Sequence, residues 1–132
     1  MVGRIGFWLR LLTMAYWLAL FTATHIPSPP VPAGPSDKTL HVLAFAILSF
    51  LLVVAFGGPK ASWQRRIGLC CLVLLYGAGD ELSQALTATR HPEFDDWLAD
   101  LAGTLAGLLA AVACGNLWLR FVKSSPKRKR SA

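Results

Sequence analysis

Four long apolar segments constrain this chain more than any other feature of its sequence. They cover about residues 5–24, 39–57, 67–86 and 97–119, with polar stretches between them. An α-helix rises 1.5 Å per residue, so about 20 apolar residues cross the ~30 Å hydrocarbon core of a bilayer. Only 15% of the residues are charged, which is too few to cover a water-soluble surface. The sequence therefore predicts an all-α integral membrane bundle of four transmembrane helices.

Prolines and glycines mark the ends of these segments. Proline lacks the amide hydrogen and fixes φ, so the prolines between Pro27 and Pro35 predict a loop after the first helix. Ser36 or Asp37 can cap the second helix, and a Gly-Gly-Pro sequence ends it. The second segment therefore has well-defined boundaries.

The first segment has an alternative interpretation as a cleaved signal peptide. Arg10 interrupts its apolar run, and Phe21 occupies the −3 position of the best cleavage site, where a small residue is normal. We therefore expect the mature protein to keep this helix, with Arg10 extending toward the lipid headgroups.

The distribution of Lys and Arg predicts the orientation. With the N-terminus in the cytoplasm, only Lys38 and Arg90 of the 13 basic residues face outward, which agrees with the positive-inside rule. We predict a multi-pass protein of the inner (cytoplasmic) membrane with both termini cytoplasmic, comprising a membrane domain (1–122) and a basic tail (123–132). The tail is explained by orientation and by contact with anionic lipids, so we expect no nucleic-acid partner.

Polar residues concentrate at the predicted outer ends of the last three helices. Ionisable groups within a membrane are costly and usually face protein or water. Several of them form i, i+4 pairs, and each pair lies on one helix face. We therefore predict one outward-facing, ligand-binding cleft. Its candidate residues are Asp37, Lys38, His41, Asp80, Glu81, Gln84, Arg90, Asp96 and Asp100.

Other interpretations of these residues stay open. Lys38, Arg90 and a protonated His41 could neutralise the carboxylates in a purely structural ion-pair network. The imidazole and carboxylates could also bind a metal, but no ligand motif with tight spacing supports this, so we expect no metal and no cofactor. The three cysteines lack metal or disulfide spacing and are predicted to be small core residues. They are Cys70, Cys71 and Cys114.

Small residues in the fourth segment predict close helix packing. Gly103 and Gly107 form a G-x-x-x-G pair, which lets another helix approach its backbone. We expect packing within the bundle rather than a dimer seam, with Gly77 and Gly79 opposite. The oligomeric state is left open.

The order of the polar motifs resembles the VanZ-like family. The matching strings are D-K-T-L-H from Asp37, D-E-L-S-Q from Asp80, then Arg90, then D-x-x-x-D-x-x-G from Asp96. The resemblance covers roughly residues 27–107. It implies a small polytopic protein of the cell envelope whose signature polar residues occupy these positions.

One position departs from the family pattern. Asp100 stands where the pattern usually has Asn, so a group that both donates and accepts hydrogen bonds becomes an acceptor or a negative charge. This change should weaken the binding of an anion and could strengthen the binding of a cation or a proton.

The resemblance also implies hypotheses about function, because the family's namesake is associated with resistance to the glycopeptide teicoplanin. The first is a non-enzymatic protein whose cleft binds a lipid-linked, glycan or glycopeptide ligand, with Lys38 and Arg90 recognising anionic groups. The second is an intramembrane enzyme acting on an envelope lipid, with His41 as general base and with Asp80 or Glu81 orienting it or carrying protons. Ion movement is disfavoured because no polar path reaches the inner helix ends.

Overall fold

The described part of the chain is almost entirely helical. The structure, a computed structural model, describes residues 2–25, 37–84 and 94–124, and only 58–62 among these lie outside a helix. No strand occurs in these ranges, so the all-α prediction is confirmed. The helices are α1 (Val2–His25), α2 (Asp37–Leu52, continued by a π-helical turn, Val53–Gly57), α3 (Trp63–Gln84) and α4 (Phe94–Ser124).

Three predicted stretches lie outside the described residues. They are the proline-rich connection (26–36), the polar connection that contains Arg90 (85–93) and most of the basic tail (125–132). The side chains of Asp37 and Gln84 also lie outside the description.

Helix α4 is longer than the predicted segment at both ends. It begins at Phe94 and not near Trp97, and Asp95 and Asp96 in its first turn interact favourably with the positive end of the helix dipole. Its last turn includes Lys123, which was predicted to lie in the tail. A cation is favourable at that end for the same reason.

Three of the described helices are long and apolar enough to cross a membrane. They are α1, α2 with its π-helical turn, and α4. Helix α3 does not qualify by composition, because both of its ends are polar: its first turn contains Gln64, Arg65 and Arg66, and its last turns contain Asp80, Glu81 and Gln84. By this criterion the described residues contain three candidate spans, whereas the apolar segments predicted four.

The bundle buries polar side chains and exposes apolar ones. Ser49 and Asp100 are 0% and 1% exposed, whereas Leu75, Leu109 and Phe121 are at least 66% exposed. In a water-soluble protein, charged residues are almost never fully buried unless they are paired, and large apolar patches are rare at the surface. The observed arrangement fits a protein surrounded by hydrocarbon.

Helices α2 and α4 pack backbone to backbone. A Cβ atom added at Gly103 would overlap the carbonyl oxygen of Val42, and one at Gly107 would overlap that of Ala46. The G-x-x-x-G pair therefore packs inside the bundle, as predicted. Its partner is α2, however, and not Gly77 and Gly79 of α3, which were predicted to lie opposite.

Helix α1 joins the bundle through aromatic and polar contacts. The Tyr16 hydroxyl donates to the Ala44 carbonyl oxygen at 3.1 Å, and the Trp17 and Tyr76 rings meet edge to face with centroids 5.3 Å apart. These contacts lie next to one cluster of the buried core, which is formed by Phe45, Leu48, Leu52 and Val73.

At the end of the bundle opposite the acidic residues, an arginine donates a hydrogen bond to a backbone carbonyl oxygen. Arg10 Nε donates to the Ala55 carbonyl oxygen at 3.4 Å, and its guanidinium lies over the Phe56 ring. The last carbonyls of a helix have no partner within the helix, so this contact stabilises the end of the π-helical turn. Arg10 is also exposed, so its extension toward the lipid headgroups stays a prediction.

The cysteines differ from one another in burial. Cys70 is buried in the core, as predicted, but Cys71 and Cys114 are exposed. The prediction is wrong for these two because adjacent residues of a helix point in different directions. A cysteine inside an apolar run can therefore lie on the outer surface of the bundle.

Candidate functional site

The last turns of α1 and α3 and the first turns of α2 and α4 lie together at one end of the bundle. We call this end of the bundle the polar end. His25 Nε2 on α1 lies 2.8 Å from Ser83 Oγ on α3. Lys38 on α2 donates to Asp95 on α4 at 3.3 Å. The antiparallel course of successive helices thus brings residues that are distant in sequence to one end.

Three side chains from three different helices converge at the polar end. His41 comes from α2, Glu81 from α3 and Asp96 from α4, and one donor atom from each lies within 4.8 Å of the others. Glu81 and Asp96 are buried, and the His41 side chain is only 10% exposed. We call these residues the central triad. An imidazole and two carboxylates enclosed in this way can bind a cation or accept hydrogen bonds.

Asp100, one helical turn after Asp96 on α4, contacts the His41 ring. Its Oδ1 lies 2.8 Å from His41 Nδ1, and its side chain is 1% exposed. An ionised Asp100 carboxylate can only accept a hydrogen bond, and in that state Nδ1 is the donor.

Gly77 makes room for this contact. A Cβ atom there would lie 2.8 Å from Asp100 Oδ2 and 2.9 Å from the Phe45 ring, which is too close for either neighbour. Gly77 was predicted to face the glycines of α4, but it faces Asp100 and Phe45 instead. A glycine of α3 thus admits the carboxylate of α4 into the core.

Lys38 links α2 to α4 at the edge of the site. Its Nζ lies 3.3 Å from Asp95 Oδ2 and 3.7 Å from Asp96 Oδ1. Lys38 is half-exposed and Asp95 more so, and exposed ion pairs of this kind contribute only ~0–1 kcal/mol. The main effect of Lys38 is therefore to reduce the negative charge near Asp95 and Asp96. Its contribution to the stability of the fold is small.

A second polar group surrounds Asp80 and includes α1. Thr24 Oγ1 donates to Asp80 Oδ1 at 3.0 Å, and His25 Nδ1 lies 3.7 Å from the same oxygen. The sequence predicted a site on α2, α3 and α4. It did not predict that Thr24 and His25 of α1 take part, nor that Ser83 contacts His25. The available signal was a histidine in the last turn of an apolar helix, two residues before the first proline.

The structure divides the predicted cleft into two adjoining groups. Glu81 joins the central triad, whereas Asp80 contacts α1, because consecutive helical residues point about 100° apart. The carboxylate at His41 Nδ1 is Asp100, not Asp80 or Glu81 as one hypothesis had it. Arg90 and the side chains of Asp37 and Gln84 lie outside the described residues.

These features together define the class of protein. Helices long enough to span a bilayer, an apolar exterior and carboxylates buried at one end are the properties of a multi-pass membrane protein. A family model described as VanZ/LLP1 matches residues 7–118. The chain belongs to this family, which confirms the resemblance noted from the polar motifs. No curated protein and no solved structure matches the chain.

Proposed function

We propose that this VanZ-family protein spans the cytoplasmic membrane four times and directs its polar end outward, with both termini in the cytoplasm. Helix α3 supports a fourth span because its outer face is apolar: Leu72, Leu75 and Leu82 are exposed, whereas Asp80 and Glu81 are buried. Lipid contacts only the outer face of a helix, so an average over all faces understates how well α3 suits a membrane. The Lys and Arg distribution supports the orientation.

At the polar end, the protein binds the glycan head of a lipid-linked envelope component. The observation that carries this proposal is the convergence of His41, Glu81 and Asp96 from three helices. Sugar hydroxyls are hydrogen-bond donors, and carboxylates are acceptors with several lone pairs each. A site at helix ends also suits an amphipathic ligand, because the lipid chain can stay in the bilayer while the head reaches the triad.

A connection with teicoplanin susceptibility follows as part of this proposal. A protein that sequesters or masks a lipid-linked envelope component changes how much of that component a glycopeptide can reach. In a teicoplanin-sensitive host, expression of the protein should therefore raise the inhibitory concentration several-fold. Glu81→Gln should remove that increase without reducing the membrane abundance of the protein.

Native mass spectrometry of the protein released from membranes in mild detergent tests the ligand directly. The wild-type protein should retain a lipid-linked glycan, and Glu81→Gln should lower the bound fraction at least several-fold. Asp95→Asn is the matched control: Asp95 is a neighbouring but exposed carboxylate, so its loss should leave the bound fraction unchanged. Recovery of bulk phospholipid alone from all three proteins would contradict the proposal.

A second candidate function is an intramembrane enzyme that acts on an envelope lipid. The specific observation in its favour is the His41–Asp100 contact of 2.8 Å, because a carboxylate that orients a histidine is typical of general bases. Lipid extracts from cells with and without the protein separate the two functions. A lipid species that appears or disappears only when His41 is intact indicates the enzyme.

Membrane abundance separates both functions from a purely structural role. If the triad serves only as an ion-pair network, Glu81→Gln should reduce the amount of folded protein, because removing one partner of a buried pair costs about 3–5 kcal/mol. A binding role predicts nearly normal abundance together with loss of the bound ligand.

A further inference from the structure

The second polar group places a serine, a histidine and a carboxylate next to one another. His25 Nε2 on α1 lies 2.8 Å from Ser83 Oγ on α3, and His25 Nδ1 lies 3.7 Å from Asp80 Oδ1. A hydroxyl in contact with a base, which has a carboxylate on its other side, is the arrangement that activates serine as a nucleophile. The residues come from two helices, which explains why no motif in the sequence marks them.

The Phe21 carbonyl determines which nitrogen of His25 is the base. Its oxygen lies 2.8 Å from His25 Nδ1, and a carbonyl oxygen only accepts hydrogen bonds, so Nδ1 carries the proton and donates. In the neutral ring the lone pair then lies on Nε2, the nitrogen that faces Ser83. The Phe21 ring also packs on the imidazole, with centroids 4.2 Å apart. One residue of α1 therefore fixes both the tautomer and the orientation of His25.

The Ser83 hydroxyl has two acceptors within reach. Its oxygen lies 2.7 Å from the Asp80 carbonyl oxygen and 2.8 Å from His25 Nε2. A hydroxyl hydrogen rotates about the C–O bond, so it can turn from the carbonyl oxygen to Nε2 while the oxygen stays in place. His25 can then take the proton as Ser83 reacts.

The pair is accessible beside the apolar surface of the bundle. The His25 side chain is 25% exposed and Ser83 is half-buried, and the neighbouring Phe21 and Leu82 side chains are exposed. In the proposed four-span arrangement, on which this step rests, the last turns of α1 and α3 lie at the boundary between headgroups and hydrocarbon. The ester bonds of glycerolipids lie at the same depth, so a lipid ester can reach Ser83.

We propose that Ser83 and His25 are a catalytic pair that hydrolyses a carboxylic ester of a membrane lipid. Ser83 Oγ bonds to the ester carbonyl carbon while His25 Nε2 takes its proton, and the leaving alcohol then receives that proton as its bond to the carbon breaks. Water repeats the step on the acyl-serine: it bonds to the same carbon, a fatty acid is released, and the proton returns through Nε2 to Ser83 Oγ. Asp80 stabilises the imidazolium that forms each time.

Covalent labelling of the full-length protein in detergent tests the nucleophile. A fluorophosphonate probe bonds to an activated serine with loss of fluoride, and peptide mass spectrometry locates the label. The wild-type protein should carry the label on Ser83. Labelling should be absent in Ser83→Ala and at least about 100-fold slower in His25→Gln, because the base is lost.

Ser124→Ala is the matched control for this labelling. Ser124 Oγ also donates to the carbonyl oxygen three residues earlier, that of Phe121, but it lies at the opposite end of the bundle from His25. The variant should be labelled at Ser83 as the wild-type protein is.

Hydrolysis of a phospholipid with a fluorescent acyl chain, in mixed micelles, tests the substrate class. The wild-type protein should release the fluorescent fatty acid, and Ser83→Ala and His25→Gln should lower kcat at least about 100-fold. Asp80→Asn keeps an oxygen acceptor for Thr24 but removes the negative charge near the imidazolium. It should lower kcat about 10-fold with little change in KM.

Several results would overturn this site. A wild-type protein without label on Ser83, or equal labelling of His25→Gln, would contradict the catalytic pair. Cleavage of a short soluble ester without cleavage of the phospholipid would contradict the lipid substrate. The position of the label in the wild-type protein decides even if a variant fails to fold. Neither measurement reads glycan binding or topology, so failure of those proposals would be seen separately, by native mass spectrometry and by reporter fusions.

Discussion

Neighbouring residues with similar chemistry have different partners in this bundle. Asp80 receives a hydrogen bond from Thr24 of α1, whereas Glu81 faces His41 and Asp96. A pair of adjacent acidic residues in a sequence suggests one site, but the helical rotation between them assigns the side chains to two groups. Both carboxylates are buried, and a buried charge without a partner is costly. The partners of Asp80 and Glu81 therefore matter for the stability of the fold.

Thr24 should matter more for stability than its neighbour Thr22. Thr24→Val removes the hydrogen bond to the buried Asp80 carboxylate, and we expect the free energy of unfolding to fall by about 1–3 kcal/mol. Thr22→Val is the control, because Thr22 Oγ1 is exposed and donates within its own helix to the Leu18 carbonyl oxygen. Unfolding in mixed detergent micelles, followed by circular dichroism, measures both variants. Equal effects would show that the contact to Asp80 does not stabilise the fold.

At the scale of elements, the α2–α4 pair is the most closely packed part of the bundle. The two glycines of α4 contact α2 through carbonyl oxygens, which cannot move aside as a flexible side chain can. The remaining helices pack on this pair through larger side chains such as Phe45, Trp17 and Tyr76. The polar end is therefore positioned chiefly by the close approach of α2 and α4.

Adding a methyl group at this contact should destabilise the protein. Gly107→Ala places a Cβ atom against the Ala46 carbonyl oxygen and 2.9 Å from Phe50 N, and overpacking of this kind typically costs about 1–3 kcal/mol. Gly79→Ala on α3 is the matched control, because nothing lies within 4 Å of its added Cβ. Alanine has the higher helix propensity, so this variant should be neutral or slightly more stable. Thermal unfolding in detergent compares them, and a stable Gly107→Ala protein would disprove the close packing.

Cysteine labelling tests whether α3 spans the membrane. Cys71 is exposed on α3, so it faces lipid if the helix spans and water if it does not. In opened membranes, a variant with Cys71 as its single cysteine should resist a water-soluble maleimide. A single cysteine at the exposed Lys60 position, between α2 and α3, should react rapidly. Rapid labelling of Cys71 in the same opened membranes would reduce the number of spans to three.

The whole molecule is asymmetric in charge along the bundle axis. Acidic residues lie at the polar end, whereas Arg10 and Arg66 contact carbonyl groups at the other end. Cytoplasmic regions of membrane proteins are rich in Lys and Arg. The axis of the bundle is therefore expected to have a defined direction across the membrane.

Reporter fusions test this direction. Fusions after Gly58 and after Ala132 should report a cytoplasmic location, and fusions near Ala33 and Ala88 should report the opposite side. The reason is the excess of Lys and Arg near the first pair of positions. An extracytoplasmic signal after Gly58 would refute the proposed orientation, and equal signals from Gly58 and Ala88 would refute the span through α3.

The sequence by itself was sufficient to predict the helices and to identify most of the residues of the polar end. Helix formation depends on bonds between residues four apart, and membrane preference depends on local apolarity, so both can be inferred from short segments. The close packing of Gly103 and Gly107 was also predictable, because only small residues permit such an approach. The family pattern also marks Asp80, Glu81 and Asp96 as candidate site residues.

Only the tertiary structure decided which residues meet. The helix that packs on Gly107, the contact of Asp100 with His41 and the part played by His25 all depend on the rotation of each helix about its axis. That rotation results from the packing of all side chains at once, and a change of one residue step turns a side chain by about 100°. No short segment of sequence contains this information, because the contacts join residues that are more than fifty positions apart.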